Sequence, residues 1–305
     1  MFGLLNIHKP AGITSRDAVN RVQRVVRPDG VGHAGTLDPL ATGVLVACIG
    51  PATRLIEYVQ KMPKTYLGTF LLGQSSPTED TEGEVTPLVN PPVPTLAQIE
   101  QAFPQFLGTI WQRPPIFSAL KVNGKRAYDL ARQGQTPELA PRQVEIHGLE
   151  LVQYDYPQLQ LRIHCGSGTY VRSLGRDLAA ALGTAGVMSA LVREAIGPFT
   201  LAQAVHFDEL TDLSSVQNNL QPPLAALAGL PILELTPTEH TELSHGRRIV
   251  NRWPQMGLVG APHGSFAAEM AACYPLGTLA AIVRPVENSL QPVRFFPSGK
   301  PAGEN

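Results

Sequence analysis

A chain of 305 residues with 43% hydrophobic and 16% charged residues has enough apolar material for a large core and room for about two domains. No apolar run approaches the ~20 residues of a membrane span, and the first ten residues have the wrong charge order for a signal peptide. The three cysteines (Cys48, Cys165, Cys273) are few and far apart, which excludes a disulfide framework or a zinc site of ordinary spacing and points to a reducing compartment, the cytoplasm. The net charge of −1 hides a pattern. Residues 1–193 carry 18 Lys and Arg against 15 Asp and Glu, residues 194–246 carry seven acids and no Lys or Arg, and residues 247–305 carry six basic and three acidic side chains. Two mildly basic blocks split by an acidic one permit phosphate contacts on chosen faces.

Leu4–His8 reads as a strand, and Lys9-Pro10-Ala11-Gly12 as a turn. Thr14 or Ser15 then caps a helix with Asp17 as its capping-box partner, and Ala18, Val19, Val22, Val25 and Val26 form its apolar stripe. Next comes Gly32-His33-Ala34-Gly35-Thr36-Leu37-Asp38-Pro39, running through Gly43 into the apolar strand Val44–Ile49. Its glycines permit unusual backbone angles, and Pro39 disfavours helix at Asp38. Asp38 is therefore expected on a stiff loop against a buried strand. A carboxylate held that way is a nucleophile, a base, or simply a turn cap.

Thr53–Gln60 is a short helix and Lys64–Leu72 a strand; Ser75–Thr86 is an acidic loop and Leu88–Pro94 an extended link. Thr95 caps a helix that turns Leu96, Ile99 and Phe103 inward. From Arg113 to Gln135 five basic residues (Arg113, Lys121, Lys125, Arg126, Arg132) meet one acid, with Asn123-Gly124 as a hairpin signal and a helix over Ala127–Arg132. That stretch is a phosphate-gripping unit or a solvated face. Leu159, Leu161, Ile163 and Cys165 alternate as a half-buried strand ending at Gly166. Thr169 can cap a helix that buries Val171, Leu174, Leu178 and Leu182. Tyr170 and Arg172 thus stand at a helix N-terminus, where Arg172 meets an anion or an ordinary surface acid. Beyond Leu201 come a polar helix (208–219), an apolar link, and short strands at 249–253, 265–273, 277–284 and 293–296 that read as a small β-rich module.

These residues resemble a known family. Gly32 to Leu45 (G-H-A-G-T-L-D-P-L-A-T-G-V-L) is similar to the active-site signature of the bacterial TruB-type tRNA pseudouridine synthases. Further signals fall in that family's order: Lys9-Pro10-x-Gly12-x-Thr14-Ser15, Lys64-x-Tyr66, Arg113-Pro-Pro-x-x-Ser118-Ala-Leu-Lys121, Gly124-Lys-Arg-Ala-Tyr128 and Gly168-Thr-Tyr170-Val-Arg172. The resemblance covers about residues 3–200. It is weaker at Leu243–Gly246 and Leu290–Phe296, which look like pieces of a PUA-like module. After the strand's Leu-Gly, Ser76-Pro77 stands where the family has Thr-Asp.

The resemblance implies an α+β pseudouridine synthase fold: a mixed, mostly antiparallel sheet with flanking helices and a central cleft. Residues 1–230 would form the catalytic domain, with a thumb-like RNA-binding insert at about 122–150. Residues 231–297 would form the PUA-like module, and 298–305 a disordered tail. It implies isomerisation of uridine-55 in the tRNA TΨC loop, with the T arm as partner, no cofactor, no metal, no membrane and a monomeric chain. Asp38 takes the nucleophile's place and Tyr66 that of the aromatic packed on the base. His33 would fill the space of the flipped nucleotide, Tyr170 and Arg172 would line the pocket, and Leu191 would touch substrate. Lys9, Lys121, Lys125, Arg126 and Arg132 are the candidates for RNA-backbone contact. Two other classes compete: a non-catalytic tRNA-binding or chaperone protein on the same fold, and a hydrolase using Asp38 and His33. A chaperone has no need to keep Asp38, Tyr66 and Arg172 together.

Overall fold

In the computed structural model, which describes residues 1–118, 120–122, 124–135, 138–253, 269–274 and 277–297, the first apolar run forms strand β1 (Gly3–Lys9) and Thr14 opens helix α1 (Ser15–Val25). Thr14 Oγ1 accepts from the Asp17 amide while the Asp17 carboxylate accepts from the Thr14 amide. Two amides that the helix leaves unpaired are so satisfied. Ala18 and Val22 pack with Leu5, Ile7, Leu45 and Ala47. The chain continues through β2 (Val31–His33), β3 (Thr42–Ile49), α2 (Ile56–Lys61), β4 (Lys64–Leu72), the short pair β5 (Gln74–Ser75) and β6 (Thr86–Pro87), α3 (Leu96–Ala102) and β7 (Gly108–Gln112). A small hairpin, β8 (Lys121–Val122) and β9 (Lys125–Arg126), leads into α4 (Ala127–Arg132). Then come β10 (Arg142–Asp155), β11 (Gln158–Cys165), α5 (Val171–Ala181) and β12 (Gly186–Ile196), followed by β13 (Phe199–Thr200), β14 (Val205–His206), α6 (Leu213–Asn218) and β15 (Leu220–Gln221).

The large sheet runs in the order β14-β1-β3-β12-β4-β11-β10-β7. Its pairs are antiparallel except β1 with β14 and β3 with β12. This is the mixed, mostly antiparallel sheet that the resemblance implies. The parallel contact at its middle brings β3 so close to β12 that a Cβ on Gly43, at φ +101, would lie 2.3 Å from the Arg193 carbonyl oxygen. Only glycine fits there.

A second sheet, in the order β16-β18-β19-β20-β17, is built from β16 (Ile232–Glu234), β17 (Ile249–Val250), β18 (Met270–Cys273), β19 (Leu279–Val286) and β20 (Ser289–Phe295), with α7 (Pro237–Ser244) beside it. Its residues Ala271, Leu279, Ile282 and Phe296 share one apolar cluster with Leu4, Leu55, Tyr58 and Leu227 of the first unit. Phe2 stacks on Phe296 with ring centroids 5.4 Å apart, and the Tyr58 hydroxyl donates to Glu269 at 2.7 Å.

Several expectations need correction. Leu96 is 49% exposed, because α3 is only two turns long and its buried residues are Ile99 and Ala102. Residues 142–150, assigned above to the insert, belong to β10, which pairs with β7 and β11 inside the large sheet. Thr169 is not the cap of α5; Tyr170 holds that place, and the Thr169 hydroxyl turns back to the Gly166 carbonyl. The tail at 298–305 and the first part of the strand expected at 265–273 lie outside the described residues.

Candidate active site

Asp38 sits on the loop between β2 and β3, and that loop is fastened from three directions. From α1, Ser15 Oγ accepts from the Leu37 amide at 2.8 Å and donates to the Leu37 carbonyl at 3.1 Å. From the turn after β1, the Gly12 amide donates to the Pro39 carbonyl at 2.9 Å. From β12, the buried Arg193 guanidinium donates to the carbonyls of Val44 (2.7 Å), Gly35 (3.1 Å) and Thr36 (3.4 Å). An irregular loop leaves carbonyls without sheet partners, and for Gly35 and Thr36 Arg193 supplies the missing donors while its Nε holds Val44 of β3. Sequence reasoning gave Arg193 no role; beside Glu194 it reads as an ordinary surface charge.

Lys9 was expected on RNA phosphate, and the structure contradicts this. Its side chain is fully buried, and its ammonium donates to the carbonyls of Pro10 and Ile13, each at 2.8 Å, and Pro39 at 3.5 Å. Burial pushes its pKa down to about 8, with the Asp38 charge pulling the other way. Lys9 belongs to the scaffold under the Asp38 loop.

Arg172 lies in the first turn of α5, and its guanidinium is shared among four acceptors. Nη2 meets Asp38 Oδ2 at 3.0 Å and the Phe117 carbonyl at 3.0 Å; Nη1 meets Asp80 Oδ2 at 3.2 Å and the Thr78 carbonyl at 3.0 Å. Asp80 is buried, whereas the Asp38 carboxylate is 35% exposed toward the cleft. The surface alternative for Arg172 is therefore excluded. One planar cation holds a buried carboxylate on one side and an open one on the other.

Sequence reasoning missed Asp80, reading its segment as an acidic loop. Thr78 Oγ1 donates to Asp80 Oδ1 at 2.5 Å, and the Glu82 amide donates to the same oxygen at 3.1 Å. Next to it, Glu79 accepts from Ser173 Oγ at 2.9 Å and pairs with Arg176. Burial raises the Glu79 pKa, and Arg176 opposes that. The segment after β4 is thus bound to α5 by two neighbouring acids.

Asp38, Tyr66, Ser118, Tyr170, Arg172 and Leu191 line one cavity of about 210 Å³. That is small beside the pockets that take drug-sized ligands, and suits a single base. Tyr66 is buried on β4, so its phenol pKa is raised, with the Arg193 charge acting against the shift. Tyr170 is held through its backbone: its amide donates to Gln112 Oε1 at 2.8 Å, and Gln112 Nε2 donates to its carbonyl at 3.0 Å. The Arg142 guanidinium lies 4.7 Å from the centre of the Tyr170 ring. Gln112 and Arg142 were not foreseen.

His33 ends β2, outside the cavity lining; burial and then the Arg16 charge hold its imidazole pKa low, which favours the neutral ring. Lys121, Lys125, Arg126 and Arg132 fall on β8, β9 and α4, whose backbone is described; their side chains lie outside the described residues. Among the described residues no group of three or more His, Cys, Asp or Glu could hold a metal ion.

Solved structures share this architecture. A Cbf5–Nop10–Gar1 complex matches with a TM-score of 0.69 at 23% identity, over 93% of this chain and 78% of that one. An H/ACA RNP bound to a substrate RNA containing 2′-deoxyuridine matches with a TM-score of 0.70 at 21% identity, over 97% and 85%. The fold is that of the pseudouridine synthases. A model of the TruB family pseudouridylate synthase N-terminal domain matches residues 23–171. Proteins named tRNA pseudouridine synthase B are similar over most of their length: one from Dehalococcoides mccartyi (strain ATCC BAA-2266 / KCTC 15142 / 195) is 40% identical over 99% of this chain and 98% of its own, and one from Arthrobacter sp. (strain FB24) is 41% identical over 99% of both. The chain belongs to the TruB family of pseudouridylate synthases.

Proposed function

We propose that this chain isomerises uridine-55 in the TΨC loop of tRNA to pseudouridine, with Asp38 as nucleophile. The observation that carries the reading is the Asp38–Arg172 pair, 3.0 Å apart, with its carboxylate open to a cavity that Tyr66 and Leu191 also line. A uridine stacked in an RNA loop is out of reach, so the base must first be extruded, at a cost of a few kcal/mol. Stacking on an aromatic ring such as Tyr66 returns ~1–3 kcal/mol of that, and His33 fills the vacated place. Arg172 fixes the direction of the Asp38 carboxylate through Nη2, while its Nη1 is anchored on the buried Asp80. The bond from N1 to the ribose C1′ breaks and a bond from C5 to C1′ forms; C5 releases its proton and N1 gains one. The isomerisation changes no oxidation state and transfers no outside group.

In this reading Tyr170 and Leu191 shape the pocket, and the basic hairpin with Lys121, Lys125, Arg126 and Arg132 grips the phosphates of the T arm. The enzyme acts as a cytoplasmic monomer. Asp38→Asn tests it. Tritium release from tRNA carrying uridine labelled at C5 should vanish, and tRNA affinity should stay within about twofold, because the phosphate contacts are untouched. Turnover near the wild-type rate would overturn the reading. Loss of pseudouridine at that one position in tRNA from cells lacking the protein would confirm the target.

A further inference from the structure

One polar group in the cavity has no assigned task. Ser118 is 5% exposed, and its hydroxyl has no hydrogen-bond partner among the described residues, yet it lines the same cavity as Asp38, Tyr66 and Leu191. A buried hydroxyl without a partner is costly, and an alanine there would fill nearly the same space without that cost. The backbone around it is also fixed. The Ser118 amide donates to the Ile116 carbonyl at 3.0 Å, the Phe117 carbonyl accepts from Arg172 at 3.0 Å, and Pro114-Pro115 stiffens the approach. The guanidinium that holds Asp38 therefore also sets the position of the residue preceding Ser118. A donor fixed in advance, and unpaired when the site is empty, is suited to a group that arrives with the substrate.

We propose that the Ser118 hydroxyl donates a hydrogen bond to an oxygen of the extruded uridine: O2, O4 or the ribose 2′-oxygen. The proposal rests on the function given above. The three acceptors differ in consequence. When the N1–C1′ bond breaks with its electron pair on the base, negative charge spreads onto O2 and O4, so a donor there strengthens toward the transition state and acts on the rate. A donor on the 2′-oxygen sees little change in charge and acts on binding.

A cycle of paired changes in protein and substrate tests this. Wild-type enzyme and Ser118→Ala are compared on T-arm RNAs that carry uridine, 2-thiouridine, 4-thiouridine or 2′-deoxyuridine at the target position. Dissociation constants and single-turnover rates are both measured. On uridine, Ser118→Ala should lose on the order of tenfold in rate or affinity. The loss should fall to about twofold or less on the one substrate whose altered atom is the acceptor. An equal loss on all four substrates would make Ser118 a purely structural residue and overturn the proposal; so would no loss on uridine. Absence of activity in the wild-type enzyme on uridine would overturn the functional reading instead, so the two failures are distinguishable.

Discussion

Two buried cations support the same loop and differ in what they leave free. Arg172 divides its donors between two carboxylates and two carbonyls, so its charge is fully countered and one of its nitrogens is aimed at Asp38. Lys9 spends its ammonium on carbonyls alone, and burial lowers its pKa from 10.5 to about 8. The unfolded chain therefore keeps this proton in a range where the folded chain has released it. Where the unfolded state binds more protons, stability rises with pH. Relative to Lys9→Met, the wild-type protein should gain stability between pH 8 and 10.5, by at most about 1.4 kcal/mol per pH unit. Urea melts of both proteins across that range give the difference directly; a flat or falling difference would show that Lys9 keeps its proton in the fold. Asp38 and Arg172 were singled out by local patterns, a Gly-Pro loop and a strand-to-helix junction, but those patterns left a turn cap and a surface pair open, and it was the family resemblance that put the two together. Asp80 could not be singled out, since an acid in an acidic loop looks solvated, and only the distant Arg172 makes it a buried partner.

At the level of elements, the two longest strands that the sequence analysis did not name, β10 and β12, are both bulged. β12 pairs with β4 with register shifts between Met188 and Ala190 and between Arg193 and Ala195. β10 has shifts against β11 between Ile146 and Gly148 and between Leu151 and Gln153. Each bulge reverses which residues face the core, so the apolar alternation breaks although the strand continues. β4 and β11, which pair without a shift, were legible end to end. The start of α5 was misassigned for a related reason: the Tyr170 backbone is satisfied by Gln112 from β7, a partner remote in sequence. The β8–β9 hairpin and α4 were legible from Asn123-Gly124 and the basic run that follows. If their charges lie on phosphate, replacing Lys125 and Arg126 by glutamine should flatten the slope of log affinity for tRNA against log salt by about 1.4–1.8 units. An unchanged slope would assign the run to solvated surface.

On the scale of the whole molecule, short strands punctuated by Gly and Pro revealed a β-rich C-terminal module, but nothing local revealed how it is attached. The surfaces that meet come from positions far apart in the sequence: Phe2, Tyr58 and Phe296. The contact is apolar at its centre, with Phe296 fully buried. At its edge Arg54 donates to the Phe295 carbonyl at 2.8 Å, and Arg294 reaches the Arg54 carbonyl and pairs with Glu57. The edge pairs are partly exposed and contribute little. The apolar centre contributes more, since burying an aromatic ring removes a large area from water. Phe296→Ala should therefore cost about 3–5 kcal/mol. Because Phe296 stacks on Phe2 and shares one apolar cluster with Leu4, Leu55 and Tyr58 as well as with Leu279 and Ile282 of β19, the loss should be felt by the catalytic sheet. Scanning calorimetry should show one transition for the wild-type chain, and the same single transition at lower temperature for the variant. A variant with two transitions, the larger at the wild-type temperature, would mean that the module is docked on the catalytic unit but does not share its core.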